Sequence, residues 1–186
     1  YAYYYEYRKI MDYIGQHFQE INVVSVGCGS CIDALALKHA VNGQSNYLGI
    51  DIVEWAYKVP LPVNYEIHKV RITADTKDYL KDATVLFFPK SLSDISDSEM
   101  NDIKKWIKKS SCMKDQICIA ASFVYNSAYD DMHPAIQHSR YEEIVSLFVE
   151  NNYTNDQLNA FKVKEKEDSS KKIWDVYKKI PEPINL

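Results

Sequence analysis

The sequence predicts an α/β fold with a mostly parallel sheet. Short apolar runs that suit buried strands alternate with longer stretches in which apolar residues recur every three or four positions. This alternation is typical of strand–helix–strand units, whose strands run parallel. The order begins with a tyrosine-rich helix over residues 3–18 and a strand over residues 22–26. A helix over residues 32–41 and a strand over residues 47–52 follow.

The middle of the chain continues the same alternation. Residues 96–99 read Ser-Asp-Ser-Glu, which is the spacing of a capping box at the start of a helix. The strand at residues 65–72 is rather polar, so we expect it near an edge of the sheet. The predicted strands of this part are 65–72, 83–88 and 116–124, and the predicted helices are 96–110 and 141–149.

The C-terminal part has a different character. Residues 160–166 and 173–180 alternate between apolar and polar side chains, and a polar turn at residues 168–171 separates them. This pattern predicts an antiparallel hairpin added to one edge of the sheet. With it, the sequence predicts a mostly parallel seven-stranded sheet with an antiparallel C-terminal hairpin.

Length and composition indicate one globular domain. The chain has 186 residues, of which 46% are hydrophobic and 26% are charged. We expect a single domain over residues 1–186, with residues 1–20 as an N-terminal helix or cap and residues 21–186 as the core. The chain begins with Tyr1 and not with Met, so we expect that its natural N-terminus is missing.

Charge and cysteine content exclude several classes of protein. The net charge of −4 and the sequence pI of about 5.7 argue against a dedicated clamp for duplex DNA. Four cysteines are too few for a disulfide scaffold, and no signal peptide opens the chain. No apolar run is long enough to span a bilayer. We therefore predict a cytoplasmic protein without a membrane partner.

The segment that points to chemistry is a strand that runs into a glycine turn and then into a helix. Gly27 and Gly29 let the backbone turn sharply and let a ligand approach it closely. The next strand ends at Asp51, about 20 residues later, where dinucleotide-binding units place an acid that bonds ribose hydroxyls. This order of elements predicts a site for a cofactor that contains a nucleoside.

These two segments resemble the class I S-adenosylmethionine-dependent methyltransferases. Residues 26–30 resemble the family's first motif, which binds the methionine part, and residues 47–52 resemble its second motif. The resemblance covers roughly residues 20–180 and implies a three-layer Rossmann-like methyltransferase fold. It also implies S-adenosylmethionine as the cofactor and S-adenosylhomocysteine as its product. The methyl acceptor is unidentified: RNA, protein and small molecules all remain open.

The resemblance also implies a set of cofactor-binding residues. In the family, the acid at the position of Asp51 binds the ribose, and the apolar residue at the position of Ile52 packs on the adenine. Asp75 would be the third-motif acid near the adenine, and Phe88 and Pro89 would begin the fourth motif. The implied cofactor-binding residues are Gly27, Cys28, Gly29, Ser30, Asp33, Asp51, Ile52, Asp75, Phe88 and Pro89.

The sequence departs from the family pattern at two positions of the first motif. Ser25 stands where the family usually has an acid, and Cys31 stands where it has a third glycine. Asp33 either replaces the missing acid near the methionine ammonium or caps the helix. The fourth motif differs from that of the amino-methylating DNA enzymes, so we do not predict N-methylation of DNA bases.

The residues of the methyl-transfer step have no signature in the sequence. We expect the acceptor to enter over residues 89–94 and 125–133, the loops that follow two central strands. A general base is needed only if the acceptor must lose a proton early. The candidates that lie on these loops are Lys90, Ser91, Tyr125, Asn126 and His133.

Several other functions use the same residues. Cys28 and Cys31 form a C-x-x-C at a helix start, as in thioredoxin-like redox proteins, although those usually carry an aromatic residue before the first cysteine. An NAD-binding motif needs a glycine where this chain has Ile32. A methyltransferase-like fold that serves as a non-catalytic binding or scaffold module is a further alternative, which Ser25 favours slightly.

Two further features have a plain interpretation. A zinc site is disfavoured, because the separation of Cys112 and Cys118 does not match that of zinc ligands, and we predict no metal. The tyrosine-rich helix is expected to pack on the sheet and to contact a partner or a missing N-terminal segment. The alternative is a lid that supplies aromatic walls to the cofactor cleft.

Overall fold

The computed structural model describes residues 2–55, 59–111, 114–123, 132–151, 153, 157–168 and 171–179. Helices and strands alternate along the chain, as the sequence predicts. The elements are α1 (Ala2–His17), β1 (Ile21–Val26), α2 (Ile32–Ala40), β2 (Ser45–Asp51), β3 (Tyr65–Lys69), β4 (Val85–Pro89), α3 (Asp97–Lys109), β5 (Ile117–Ser122), α4 (Met132–Glu150), β6 (Leu158–Asp168) and β7 (Lys171–Lys179).

The strands form one sheet in the order β3-β2-β1-β4-β5-β6-β7. Neighbours from β3 to β6 pair in parallel, and β7 runs antiparallel to β6 at one edge. The predicted α/β fold with a parallel sheet is therefore confirmed. The polar strand β3 lies at the other edge, as its composition predicts.

The order of the strands contains one reversal that matters for function. The chain moves outward from β1 to β2 and β3, and then returns to place β4 on the other side of β1. In open parallel sheets, ligands bind outside the carboxyl ends of the strands at such a point. The segments that follow β1, β2 and β4 are therefore brought together at one edge of the fold.

Helices cover both faces of the sheet. One apolar cluster joins α1 and α2 to one face, and Tyr7, Ile10 and Ile14 of α1 belong to it. The other cluster joins α3 and α4 to the opposite face and includes Trp106 and Tyr141. Successive residues of a strand point to opposite faces, so each central strand feeds both clusters. This explains why β4 and β5 are buried along their whole lengths.

Two of the predicted helices show what local sequence does and does not determine. At the start of α3, the Ser96 side chain accepts from the Glu99 backbone N–H, and the Glu99 carboxylate accepts from the Ser96 N–H, so the predicted capping box is confirmed. The prediction for α4 is wrong at its start, because the helix begins at Met132 and not at residue 141. Pro134 lies in its first turn, where the missing N–H of a proline costs no helical hydrogen bond.

Among the described residues, no helix combines the length and the apolar character that crossing a bilayer requires.

Candidate functional site

A cleft of about 580 Å³ opens at the carboxyl ends of β1, β2 and β4. Its volume lies within the range typical of sites for small ligands and cofactors. Residues 27–30 form part of its lining, and Asp51, Pro89 and Lys90 bring the ends of the neighbouring strands to it. The cleft thus lies at the reversal of strand order.

The turn after β1 depends on its glycines. Gly27 has a φ of +73° and Gly29 has a φ of +54°, values that residues with a Cβ atom rarely adopt. A Cβ atom on Gly27 would lie only 2.4 Å from the Cβ atom of Ser91 in the turn after β4. The Ser91 hydroxyl donates a hydrogen bond of 2.6 Å to the Val26 carbonyl oxygen, which joins the same two turns.

The carboxylate of Asp51 holds the glycine turn against the end of β2. Its Oδ2 atom accepts a 2.8 Å hydrogen bond from the Gly29 N–H, and its Oδ1 atom accepts one of 2.9 Å from the Val53 N–H. The Gly27 N–H donates to the Ile50 carbonyl oxygen at 2.8 Å. The two segments that resemble the first and second motifs therefore form one hydrogen-bonded unit.

The outer part of the cleft is apolar and open. Ile52 and Trp55 follow β2 and are 56% and 47% exposed, which is unusual for such large apolar side chains. Ile72, Ile95 and Ile103 line the cleft as well. These apolar side chains and the Asp51 carboxylate line the same cleft.

Cationic side chains line the cleft at two places. Arg71, after β3, lies near Glu99 of α3, with 3.9 Å between Nη1 and Oε1. Lys90, after β4, is almost fully buried and has a φ of +55°. Its Nζ atom lies 2.9 Å from Oε2 of Glu6 and donates to the Phe123 carbonyl oxygen at 2.8 Å. The two cations follow β3 and β4, which lie on opposite sides of β2 and β1 in the sheet.

The N-terminal helix packs on the sheet, as predicted, and also lines the cleft. Tyr7 packs edge-on against Phe87 of β4, with ring centroids 5.5 Å apart, and thus belongs to the core. Tyr3 and Tyr7 also line the cleft, and the Tyr3 ring centroid lies 4.9 Å from Lys90 Nζ. Glu6, which also belongs to α1, is fully buried and accepts a hydrogen bond from the Ser122 hydroxyl. The helix packs on the sheet and forms one wall of the cleft.

Asp33 lies behind the glycine turn and does not line the cleft. It is fully buried in α2, and its Oδ2 atom accepts hydrogen bonds from Ser25 (2.7 Å) and from Tyr47 (2.9 Å). Burial raises the pKa of Asp33 to about 6, although these hydrogen bonds lower it. The N-cap residue of α2 is Cys31, so Asp33 is not the cap. Its carboxylate lies beside Ser25, the position where the family usually has an acid.

Cys28 and Cys31 form a thiol pair within the glycine turn. Both side chains are buried, and their sulfur atoms lie 3.7 Å apart. The hydrogen bond from Cys31 and burial raise the pKa of the Cys28 thiol. A reactive redox cysteine requires a lowered pKa, so this environment disfavours the thioredoxin-like alternative.

Some predicted site residues do not meet at the cleft. Asp75 is exposed and pairs with Lys109 of α3 at 3.1 Å, and Phe88 is fully buried in the cluster under α3 and α4. Tyr125 and Asn126 lie outside the described residues. His133 lies on α4 and not on the predicted loop, and its side chain lies outside the described part.

The remaining predicted residues do meet there. The residues of the first two motifs and of the turn after β4 that line the cleft are Gly27, Cys28, Gly29, Ser30, Asp51, Ile52, Pro89, Lys90 and Ser91. Sequence reasoning missed Glu6, Ser122 and Arg71. A signal existed for Glu6, since it lies four positions before Ile10 and therefore on the apolar face of the predicted helix. Ser122 and Arg71 carry no such signal.

Comparison with known proteins identifies the fold. No protein-family model matches the sequence, and a search of the curated proteins finds no match. The structure is similar to that of the plantazolicin methyltransferase BpumL in complex with a pentazolic desmethylPZN analog and SAH, at 10% sequence identity and a TM-score of 0.57. The match covers 89% of this chain and 68% of that chain.

Two further structures of the same methyltransferase are also similar. The complex with a monoazolic desmethylPZN analog and SAH has 10% identity, a TM-score of 0.57 and coverage of 89% of this chain and 70% of that chain. The complex with SAH has 10% identity, a TM-score of 0.54 and coverage of 89% and 68%. This chain therefore has the fold of the class I S-adenosylmethionine-dependent methyltransferases.

Proposed function

We propose that this protein is an S-adenosylmethionine-dependent methyltransferase. The observation that carries the proposal is the hydrogen bond from the Gly29 N–H to the Asp51 carboxylate, which joins the glycine turn and the end of β2 on one cleft. In such a cofactor the nucleoside would bind at Asp51 and the amino-acid part at the glycine turn, so the two segments must be adjacent. The fold of the structural neighbours, which hold SAH, supports the same cofactor.

The residues of the cleft fit the parts of this cofactor. The Asp51 carboxylate lies at the strand end where an acid binds ribose hydroxyls, and each of its oxygen atoms can accept a further hydrogen bond. Ile52 offers an exposed apolar side chain for the adenine. Residues 27–30 offer a backbone that a ligand can approach closely. Pro89 lines the cleft from the neighbouring turn.

Methyl transfer requires little general acid–base catalysis from the protein. When bound, the cofactor supplies a methyl group that its sulfonium already activates. The residues of the cleft would then bind and orient the cofactor and the acceptor and exclude water from the space between them. The Ser91 hydroxyl donates to a carbonyl oxygen and the Lys90 ammonium is paired with Glu6, so neither is set up as a base.

The acceptor is proposed to enter between α1 and the segments 89–94 and 125–133, of which residues 125–131 lie outside the described part of the chain. Tyr3 and Tyr7 line the cleft from α1, which makes this helix the cap of a domain that we propose to span residues 1–186. RNA, protein and small molecules remain candidates for the acceptor. The neighbour's own substrate does not decide between them at 10% identity.

A thermal-shift experiment with S-adenosylmethionine, S-adenosylhomocysteine and NAD tests the cofactor. A ligand at 100 times its dissociation constant adds about 2.7 kcal/mol to the stability, which raises the melting temperature of a chain of this size by roughly 5–10 °C. We expect this shift with the two adenosyl sulfur compounds and none with NAD. No shift with any of them in a folded sample would favour the scaffold alternative, and a shift with NAD alone would favour an NAD-binding protein.

Isothermal titration calorimetry of Asp51→Ala sharpens the test. We expect a loss of roughly 100-fold in affinity for S-adenosylhomocysteine, because hydrogen bonds to a charged group are lost and the glycine turn loses its anchor. Asp75→Ala is the matched control, since Asp75 is the other acid of the implied set and the structure places it on the surface with Lys109. Equal effects of the two substitutions would contradict the position proposed for the ribose.

A further inference from the structure

Lys90 has a position that the methyl-transfer chemistry above leaves unexplained. It is a buried lysine with a left-handed backbone conformation, in a turn directly after a central strand. Non-glycine residues in this conformation are uncommon and cluster at ligand sites. Its ammonium forms an ion pair with the Glu6 carboxylate (2.9 Å) and donates a hydrogen bond to the Phe123 carbonyl oxygen (2.8 Å). Such a cation is fixed in place before any ligand arrives.

The order of the strands places Lys90 at one end of the proposed cofactor site. Asp51 ends β2, residues 27–30 follow β1, and Lys90 follows β4, and these strands are neighbours in that order. A ligand whose ribose is held at Asp51 and whose chain crosses residues 27–30 therefore reaches Lys90 next. The other cleft-lining cation among the described residues, Arg71, follows β3 on the opposite side of Asp51.

The charges of the ligand and of the cleft then match. The amino-acid part of the cofactor ends in a carboxylate, which needs a cationic partner when it leaves water. On the cleft side, the Tyr3 ring lies over the Lys90 ammonium, and Tyr3 is 51% exposed. An aromatic ring is a weaker partner for an ammonium than a carboxylate, and an exposed ring can move aside.

We propose that Lys90 binds the carboxylate of the cofactor's methionine part and that Glu6 is a positioning residue that directs the Lys90 ammonium to it. The inference rests on the proposed function, because it assigns one end of that same cofactor. It also removes Lys90 from the candidates for a general base.

The experiment compares two ligands by isothermal titration calorimetry on the full chain. S-adenosylhomocysteine and 5′-methylthioadenosine share the nucleoside and the sulfur atom, and only the first has the amino-acid group. We expect the unsubstituted protein to prefer S-adenosylhomocysteine by roughly 10- to 100-fold, the range of a hydrogen bond between charged groups. In Lys90→Met this preference should fall by at least tenfold, while the affinity for 5′-methylthioadenosine stays within threefold.

A second variant guards against a folding defect. Lys90→Met alone leaves the Glu6 carboxylate buried beside an apolar side chain, which destabilises a fold strongly. The double variant Glu6→Gln/Lys90→Met removes both charges, and we expect it to fold and to show the same loss of preference. Glu6→Gln alone keeps the Lys90 cation but removes the carboxylate that positions it, so the preference for S-adenosylhomocysteine should fall by an intermediate factor. Lys90→Arg should retain most of it.

Arg71→Met is the matched control, because it removes the other cation that lines the cleft. We expect it to change the affinities for both ligands by the same factor. A preference that survives within threefold in the folded double variant would overturn the proposal, as would a preference that only Arg71→Met removes. Equal affinity of the unsubstituted protein for the two ligands would also overturn it. Binding of neither ligand would overturn the proposed function itself, which is a different result from the other three.

Discussion

The two faces of the sheet are built from different kinds of residue. Under α3 and α4, the strands contribute an apolar cluster that includes Leu86, Phe88 and Ile119. Under α1 and α2, the apolar cluster is interrupted by carboxylates: Glu6 and Asp33 are both fully buried there. Among the residues whose side chains the structure describes, which leave out 124–134 and 159–186, no other carboxylate is fully buried.

The difference shows how stability and function are divided in this fold. An apolar face gains free energy from burial without any requirement for partners. A buried carboxylate costs free energy unless hydrogen bonds or a cation surround it, so its presence needs another reason. Both carboxylates lie directly behind residues that line the cleft, Glu6 behind Lys90 and Asp33 behind the glycine turn. The face of α1 and α2 thus supports the site.

The largest expected effect is on the apolar face. Phe88→Ala should lower the free energy of unfolding by about 3–5 kcal/mol, since it leaves a cavity under α3 and α4. Urea denaturation measures this loss. The resemblance to the methyltransferases implied a cofactor contact for Phe88. A small change in stability together with a large loss of affinity for S-adenosylhomocysteine would restore that role and contradict the structure.

The next effect tests a carboxylate of the other face through pH. The pKa of Asp33 is about 6 in the folded protein, whereas an unfolded aspartate has a pKa of about 3.9. Between these values the folded state binds more protons than the unfolded state, so Asp33 makes stability fall as pH rises from about 4 to 6. Relative to the unsubstituted protein, Asp33→Asn should therefore gain roughly 2–3 kcal/mol between pH 4 and pH 7.

Urea denaturation of both proteins at several pH values measures this difference. Asp75→Asn is the control, because it makes the same substitution at an exposed carboxylate. Parallel profiles for Asp33→Asn would show that the Ser25 and Tyr47 hydroxyls compensate fully for the burial of the carboxylate.

A smaller effect is expected where the two faces meet at the end of β1. Gly27→Ala should cost about 2 kcal/mol, because the residue has a φ of +73° and its new methyl group would collide with Ser91. Gly43→Ala is the control, since a Cβ atom at Gly43 meets no atom within 4 Å. Its cost should stay below about 0.5 kcal/mol. Equal costs in thermal unfolding would mean that the turn is free to rearrange.

The smallest effect is expected from substitutions that distinguish Phe87 from Phe88, two neighbouring residues of β4. Phe87→Leu and Phe88→Leu should each cost about 1 kcal/mol of stability, because both side chains are fully buried. Only Phe87 contacts Tyr7, which lines the cleft. Phe87→Leu should weaken binding of S-adenosylhomocysteine a few-fold in calorimetry, and Phe88→Leu should leave it unchanged. Equal effects would mean that the two faces do not differ in their support of the site.

Patterns confined to short stretches of sequence predicted much of the fold. The capping box of Ser96 and Glu99 and the apolar face of α1 are confirmed, since each depends on residues within one or two helical turns. The glycine turn and Asp51 were also found from spacing alone. Both belong to a unit whose strands are adjacent and parallel, so a short segment contains the whole of it.

Two residues that the family resemblance implies for the cofactor site stay untested predictions. Phe88 and Asp75 are near the segments where the pattern places them, and yet neither side chain lines the cleft. Adjacent residues of a strand point to opposite faces, so a shift of one position moves a side chain from the site into the core. In a loop such as the one that carries Asp75, backbone direction depends on what packs against it.

Local patterns in the chain predict the α/β class, the glycine turn and the place of Asp51 at the end of the adjacent strand, because periodicity and turn chemistry act over short distances in sequence. The composition of the cleft's α1 wall depends instead on contacts between distant segments. Glu6 and Ser122, which are 116 positions apart, meet beside Lys90 only after β4 and β5 pair and α1 packs across them. The free energy that holds such a buried charge in place comes from partners that are distant in the chain, so no local pattern of residues indicates it.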